Sequence, residues 1–187
     1  SLCGGLKAVA LTGIIQVVIL IIGGLAITWI ALDALDGADG AMAGLALLMR
    51  EMPGHFEMIL APDNPAYGDL PGIWTLLGGL WVLHFSYWGF NQYIIQRALA
   101  AKDLKEAQKG VAFAAFLKIF MPIIVCLPGI AAFVLNADIE KADQAFPWVL
   151  NNYVGDGLKG LTFAALVAAI GSSISSMVNS ASTIFTL

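Results

Sequence analysis

Residues 111–135 read VAFAAFLKIFMPIIVCLPGIAAFVL, an apolar run interrupted by one charge, Lys118. A run of that length can cross a bilayer as a helix, which needs about 20 predominantly apolar residues. An ammonium inside such a span costs about 2.5–3.5 kcal/mol on insertion scales, so a chain that keeps one usually gives it a partner or a task. Lys118 also lies about two turns from the basic end of the span, roughly 10 Å at 1.5 Å per residue, within reach of snorkelling. Position alone leaves both readings open.

Outward from that run, the composition agrees with a membrane setting. The chain is 59% hydrophobic and 12% charged, with a mean hydropathy of +0.85, whereas soluble domains carry about 25% charged residues. Apolar stretches at 7–32, 72–95, 111–135 and 158–187 are each long enough to span. The first is not patterned as a cleaved signal peptide. The chain opens at Ser1 and stops inside an apolar stretch at Leu187, which reads as an internal segment of a larger transporter-sized protein. Cys3 and Cys126 have neither metal spacing nor a disulfide framework and read as buried small hydrophobes. The net charge of −4 points to no acidic or basic partner, and no nucleic-acid partner is expected.

Loop charge sets an orientation. The short 96–110 connection holds Arg97, Lys102, Lys105 and Lys109 against Asp103 and Glu106. Short basic loops stay in the cytoplasm. The acidic connections 33–71 and 136–157 then face outward, and Lys7 at the start of the first span agrees. In the first outer loop, Ala41–Met52 predicts a short interfacial helix with Asp39 as N-cap and Pro53-Gly54 as its stop. Pro62, Pro65, Gly68 and Pro71 predict irregular chain after it.

Two spans carry polar groups. Gly78-Gly79, then His84, Tyr87, Trp88, Asn91 and Gln92, interrupt the second. Such a stretch predicts a helix unwound near the midplane over Gly78–Trp88, lining a cavity. Tyr87 and Trp88 offer flat faces to a sugar ring or an apolar substrate; the alternative is an interfacial aromatic belt, which suits Trp74 better. His84 can bond a substrate or relay protons, and can equally be a hydrogen-bonded packing residue. In the fourth span, Ala169, Ser172, Ser173 and Ser176 fall at i, i+3, i+4 and i+7 on one helix face. Their hydroxyl and carbonyl oxygens are hard, neutral ligands of the kind that suits Na⁺, and small residues with serines are also what close helix packing uses. There is no GxxxxGK[ST], GxGxxG or HExxH. A Ser173–His84 hydrolase dyad has no Gly-x-Ser-x-Gly elbow to support it, and no enzyme is expected.

The run Tyr87-Trp88-Gly89-Phe90-Asn91-Gln92 through Gln96-Arg97 to Lys102 resembles the sodium/solute symporter family, in its sodium/glucose branch with the bacterial sodium/galactose members. So do Glu106–Gly110, Phe113–Lys118, Phe163–Leu166, Ser172-Ser173 with Asn179-Ser180, and Ile14-Ile15-Gln16. The resemblance implies an all-α polytopic bundle, a fragment of a leucine-transporter-type inverted-repeat core covering about core helices 5 to 8. It implies sodium-coupled symport of a sugar across the bacterial inner membrane, with Na⁺ as the co-transported ion. Ala169, Ser172 and Ser173 fall at the family's sodium ligands. Lys118 falls at a lysine on a sugar hydroxyl, Tyr87 at the aromatic beneath the ring, and Ser176 near the ion and substrate region. Two positions depart: His84 stands where the galactose members have asparagine, and Gly13 where relatives have an acid. The first bears on the sugar, the second on an acidic exit path for sodium. Rival readings are a family symporter for an amino acid, carboxylate or vitamin, and a symporter-like membrane sensor domain.

Overall fold

The computed structural model describes residues 5–35, 39–68 and 72–186, with side chains from residue 10 onward. The side chain of Lys7 and all of Cys3, Asp36, Asp69 and Pro71 lie outside that description. The described residues form helices α1 (Gly5–Asp33), α2 (Ala41–Glu51), α3 (Leu80–His84), α4 (Gln92–Leu99), α5 (Leu104–Lys118), α6 (Met121–Val134), α7 (Ala145–Tyr153) and α8 (Asp156–Thr186), with no strand among them. Among the described residues three stretches are long and apolar enough to cross a membrane: Ala10–Asp33, Leu104–Val134 and Asp156–Thr186.

The core sits where the C-terminal end of α1 meets α2, α6 and α7. Ile27, Ala31, Leu32, Leu35, Ala41, Leu48, Ala131, Ala132, Val149 and Val154 form it. Small residues set the approach. A methyl at Gly24 would run into the side chain of Ile124, and one at Gly44 into the backbone carbonyl of Leu32. Thr28 Oγ1 lies 2.9 Å from the Gly24 carbonyl and 3.1 Å from the Ile123 carbonyl, tying α1 to α6.

Local chemistry explains the interruptions. α2 is an Ala/Leu/Met helix, built from good helix formers. Its cap is Gly40 rather than Asp39. Gly40 has φ 96°, which a glycine adopts without strain, and no side-chain cap bond forms there. At α5, Asp103 accepts a 2.8 Å bond from the Glu106 amide, an Asp-x-x-Glu start legible in the sequence but not read as one. Between α5 and α6 the chain takes a tight turn, with Ile119 and Phe120 bonding to Phe116 and Leu117. Pro122 is the cause: it has no N–H for the Lys118 carbonyl, four residues back, and its ring crowds that oxygen.

The 72–95 stretch differs from a single α-helix. Thr75–Gly79 and Phe85–Phe90 are π-helical around α3. The paired glycines do not unwind: Gly79 keeps φ −61° and ψ −39°. The break comes later, at Asn91, where ψ is 111°. One further expectation is corrected: Cys126 is exposed, because it faces away from the α1–α6 contact. The 136–157 connection contains α7, whose Val149 enters the core.

Candidate substrate and ion sites

The polar residues of the 72–95 stretch meet the lysine of the next. Lys118 Nζ lies 4.2 Å from the centre of the Trp88 ring. A cation over an indole face is held by the ring's quadrupole, by about 0.5–2 kcal/mol depending on solvation. Trp88 stands edge-on to Tyr87 with centroids 5.2 Å apart. The Tyr87 and Tyr93 hydroxyls are 2.9 Å apart. Three elements supply these groups: π-helical 85–90 presents Tyr87 and Trp88, α4 presents Tyr93, and the Pro122 turn ends α5 at the lysine.

Among the described residues Lys118 makes no ion pair. Its ammonium keeps donors for another acceptor. Tyr87 and Trp88 are 41% and 43% exposed, so part of each ring remains accessible beside the ammonium. A cavity of about 300 Å³ lies beside them, lined by Leu83, Ser86, Tyr87, Phe90 and Asn91. His84 is exposed one turn before Trp88 and has no hydrogen-bond partner among the described residues. Lys118, Trp88 and Tyr87 are therefore brought together, with His84 on the same helical stretch.

Ser176 is placed elsewhere. It is 1% exposed, donates to the Ser172 carbonyl at 3.0 Å and accepts from Arg97 Nη2 at 2.7 Å. Gln96 Nε2 donates to the Ser176 carbonyl at 3.3 Å, and Asn179 Nδ2 to Gln96 Oε1 at 3.2 Å. Ser176 thus helps lock α4 to α8 and does not face the aromatic cluster. Gln96, Arg97 and Asn179 carried the family resemblance, and Arg97 the loop charge, but none was read as a contact between spans. Their signal was a Gln-Arg pair facing Ser-x-x-Asn inside apolar chain, polar groups that need partners in hydrocarbon.

Ala169, Ser172 and Ser173 sit on one intact stretch of α8, the first two half-buried and the third exposed. The Ser172 and Ser173 hydroxyls have no hydrogen-bond partner among the described residues, whereas Thr162, Ser176 and Thr183 on the same helix bond back to carbonyls four residues earlier. Neutral oxygens with free lone pairs fit an alkali cation. This turn offers three at most, so further ligands must come from another element.

The profile of the sodium:solute symporter family matches residues 1–187. A sodium/glucose cotransporter of Vibrio parahaemolyticus is 50% identical over 204 residues, covering 100% of this chain and 37% of that protein. The uncharacterized symporter YidK of Escherichia coli is 37% identical over 187 residues, covering 100% of this chain and 32% of that protein. Human sodium/myo-inositol cotransporter 2 is 32% identical over 213 residues, with 31% of its length covered. The chain spans about a third of the length of these curated relatives.

Proposed function

Because the chain belongs to the sodium:solute symporter family, we propose that it supplies the sugar-facing and half of the ion-facing surface of a sodium-coupled sugar symporter in a bacterial inner membrane. The observation that carries this reading is the match along the whole chain, at 50% identity, to a protein named a sodium/glucose cotransporter. The cluster of Lys118, Trp88 and Tyr87 supports a sugar as cargo. A sugar presents hydroxyls to an ammonium and C–H faces to aromatic rings.

The four apolar stretches 7–32, 72–95, 111–135 and 158–187 belong to one transporter domain, with 96–110 cytoplasmic and 33–71 and 136–157 outside. Substrate binding draws Lys118 from the Trp88 face onto a sugar hydroxyl, while Tyr87 lies under the ring and His84 contacts its edge. Sodium binds the Ala169 carbonyl and the Ser172 and Ser173 hydroxyls, with its remaining ligands on an element outside this chain. Each ligand favours the conformation that binds the other, so the coupling is reciprocal: sodium raises sugar affinity by the factor by which sugar raises sodium affinity.

The test is uptake of labelled galactose and glucose by the full-length protein in proteoliposomes, under an inward sodium or an inward potassium gradient. Accumulation with sodium alone is expected. Failure with both sugars, together with sodium-driven uptake of an amino acid, carboxylate or vitamin, would transfer the cargo to that class.

A further inference from the structure

α1 carries one amide in its apolar middle. Ile14, Ile15, Val17 and Val18 around it are exposed, while Gln16 is half-buried. It shares a face with Gly13, Gly23 and Gly24, the side of α1 that packs on α6 and α8. Gln16 Nε2 donates to the Ala168 carbonyl of α8 at 3.0 Å. That oxygen is also the helical acceptor for the Ser172 amide, four residues on. A carbonyl has two lone pairs and can hold both bonds. One atom therefore ties α1 to the turn that bears Ala169, Ser172 and Ser173.

The spacing of the helices shows why a long side chain serves here. At Gly23, an added methyl would sit 3.8 Å from Thr162 Oγ1, ordinary contact. At Gly13, an added methyl would meet nothing within 4 Å. Gln16, between these two glycines, reaches the α8 backbone with the full length of its side chain. With little water to compete, such a bond sets the height and rotation of the α8 turn against α1.

We infer that Gln16 is a positioning residue for the sodium site: it does not touch the ion, but holds the Ala168–Ser173 turn so that its oxygens are aligned to receive it. The inference rests on the reading of Ala169, Ser172 and Ser173 as sodium ligands.

Equilibrium binding of radiolabelled sodium to the purified full-length protein tests it, alongside sodium activation of sugar uptake. Gln16→Met keeps the side-chain length and removes the donor. Its sodium concentration for half-saturation is expected to rise about tenfold, equivalent to about 1.4 kcal/mol, with the sugar KM at saturating sodium within about twofold of wild type. Gln16→Asn keeps the amide one methylene short of reach; it is expected to behave alike and replaces Gln16→Met if that variant does not fold. Ser173→Ala is the reference. A shift in Ser173→Ala without one in the Gln16 variant overturns this inference alone. No shift in either overturns the ion-site reading with it. Lower transport capacity at an unchanged sodium half-saturation makes Gln16 a packing residue and overturns the inference.

Discussion

Lys118 is held where it is by a proline four residues on. Pro122 denies the Lys118 carbonyl its helical partner, the chain turns at Ile119-Phe120, and the ammonium comes to rest over Trp88. Lys118→Ala removes a charged donor whose hydrogen bond is worth about 1.5–3 kcal/mol. The sugar KM is expected to rise at least about tenfold at saturating sodium; a wild-type KM would return Lys118 to snorkelling. At Ser173 the lost group is a neutral hydroxyl without a partner among the described residues. Ser173→Ala is therefore expected to leave thermal stability unchanged while the sodium requirement for uptake rises several-fold, read from sodium activation curves. The pairing of Lys118 with Trp88 was not legible as such, because 30 residues and a turn separate them; only the oddness of each residue in its own span was.

Elements meet at glycines here, and the backbone or side chain opposite decides how much each can bear. At Gly24 the obstacle is the Ile124 side chain, which can be trimmed. Gly24→Ala is expected to destabilise the α1–α6 pair by about 1–3 kcal/mol, the range for overpacking. A second change, Ile124→Ala, should recover part of that loss in thermal unfolding of detergent-solubilised protein. At Gly44 the obstacle is the Leu32 carbonyl, which cannot be trimmed. Gly44→Ala should show a larger drop with no side-chain rescue. Helix starts and stops were readable in part. Pro53 ended α2 as expected, but its cap moved to Gly40, since a glycine with φ 96° can make the entry turn without a carboxylate.

Across the whole molecule the packing is uneven. α1, α2, α6 and α7 share a core, while every residue from Thr75 to Phe90 except Leu80 is exposed. The chain breaks at Asn91, and α4 beyond it is pinned to α8 by Gln96 and Arg97. Arg97→Ala removes a guanidinium bond to a serine that is 1% exposed and leaves that hydroxyl without its donor. The α4–α8 junction is expected to loosen. Combined with Ser176→Ala in a double-mutant cycle on thermal stability, the two losses should be non-additive by about 0.5–3 kcal/mol. Additive losses would mean the two side chains act independently.

Residue chemistry alone determined that this is a membrane helix bundle. Apolar runs of spanning length can satisfy their backbone only as helices, and the Tyr87–Lys102 run with Ser172-Ser173 carried the family. Helix existence was local and therefore legible. The tertiary structure decided what sequence distance hides: that Lys118 meets Trp88, that Ser176 turns to Arg97 rather than to the aromatic cluster, and that Gln16 reaches Ala168. It also placed the helix break at Asn91, beyond the Gly78–Trp88 stretch where unwinding was expected. The physical reason is common to all of these. Glycine permits unwinding without requiring it, and a polar group in hydrocarbon takes whichever partner the packing of helices brings within reach, which periodicity along one helix cannot specify.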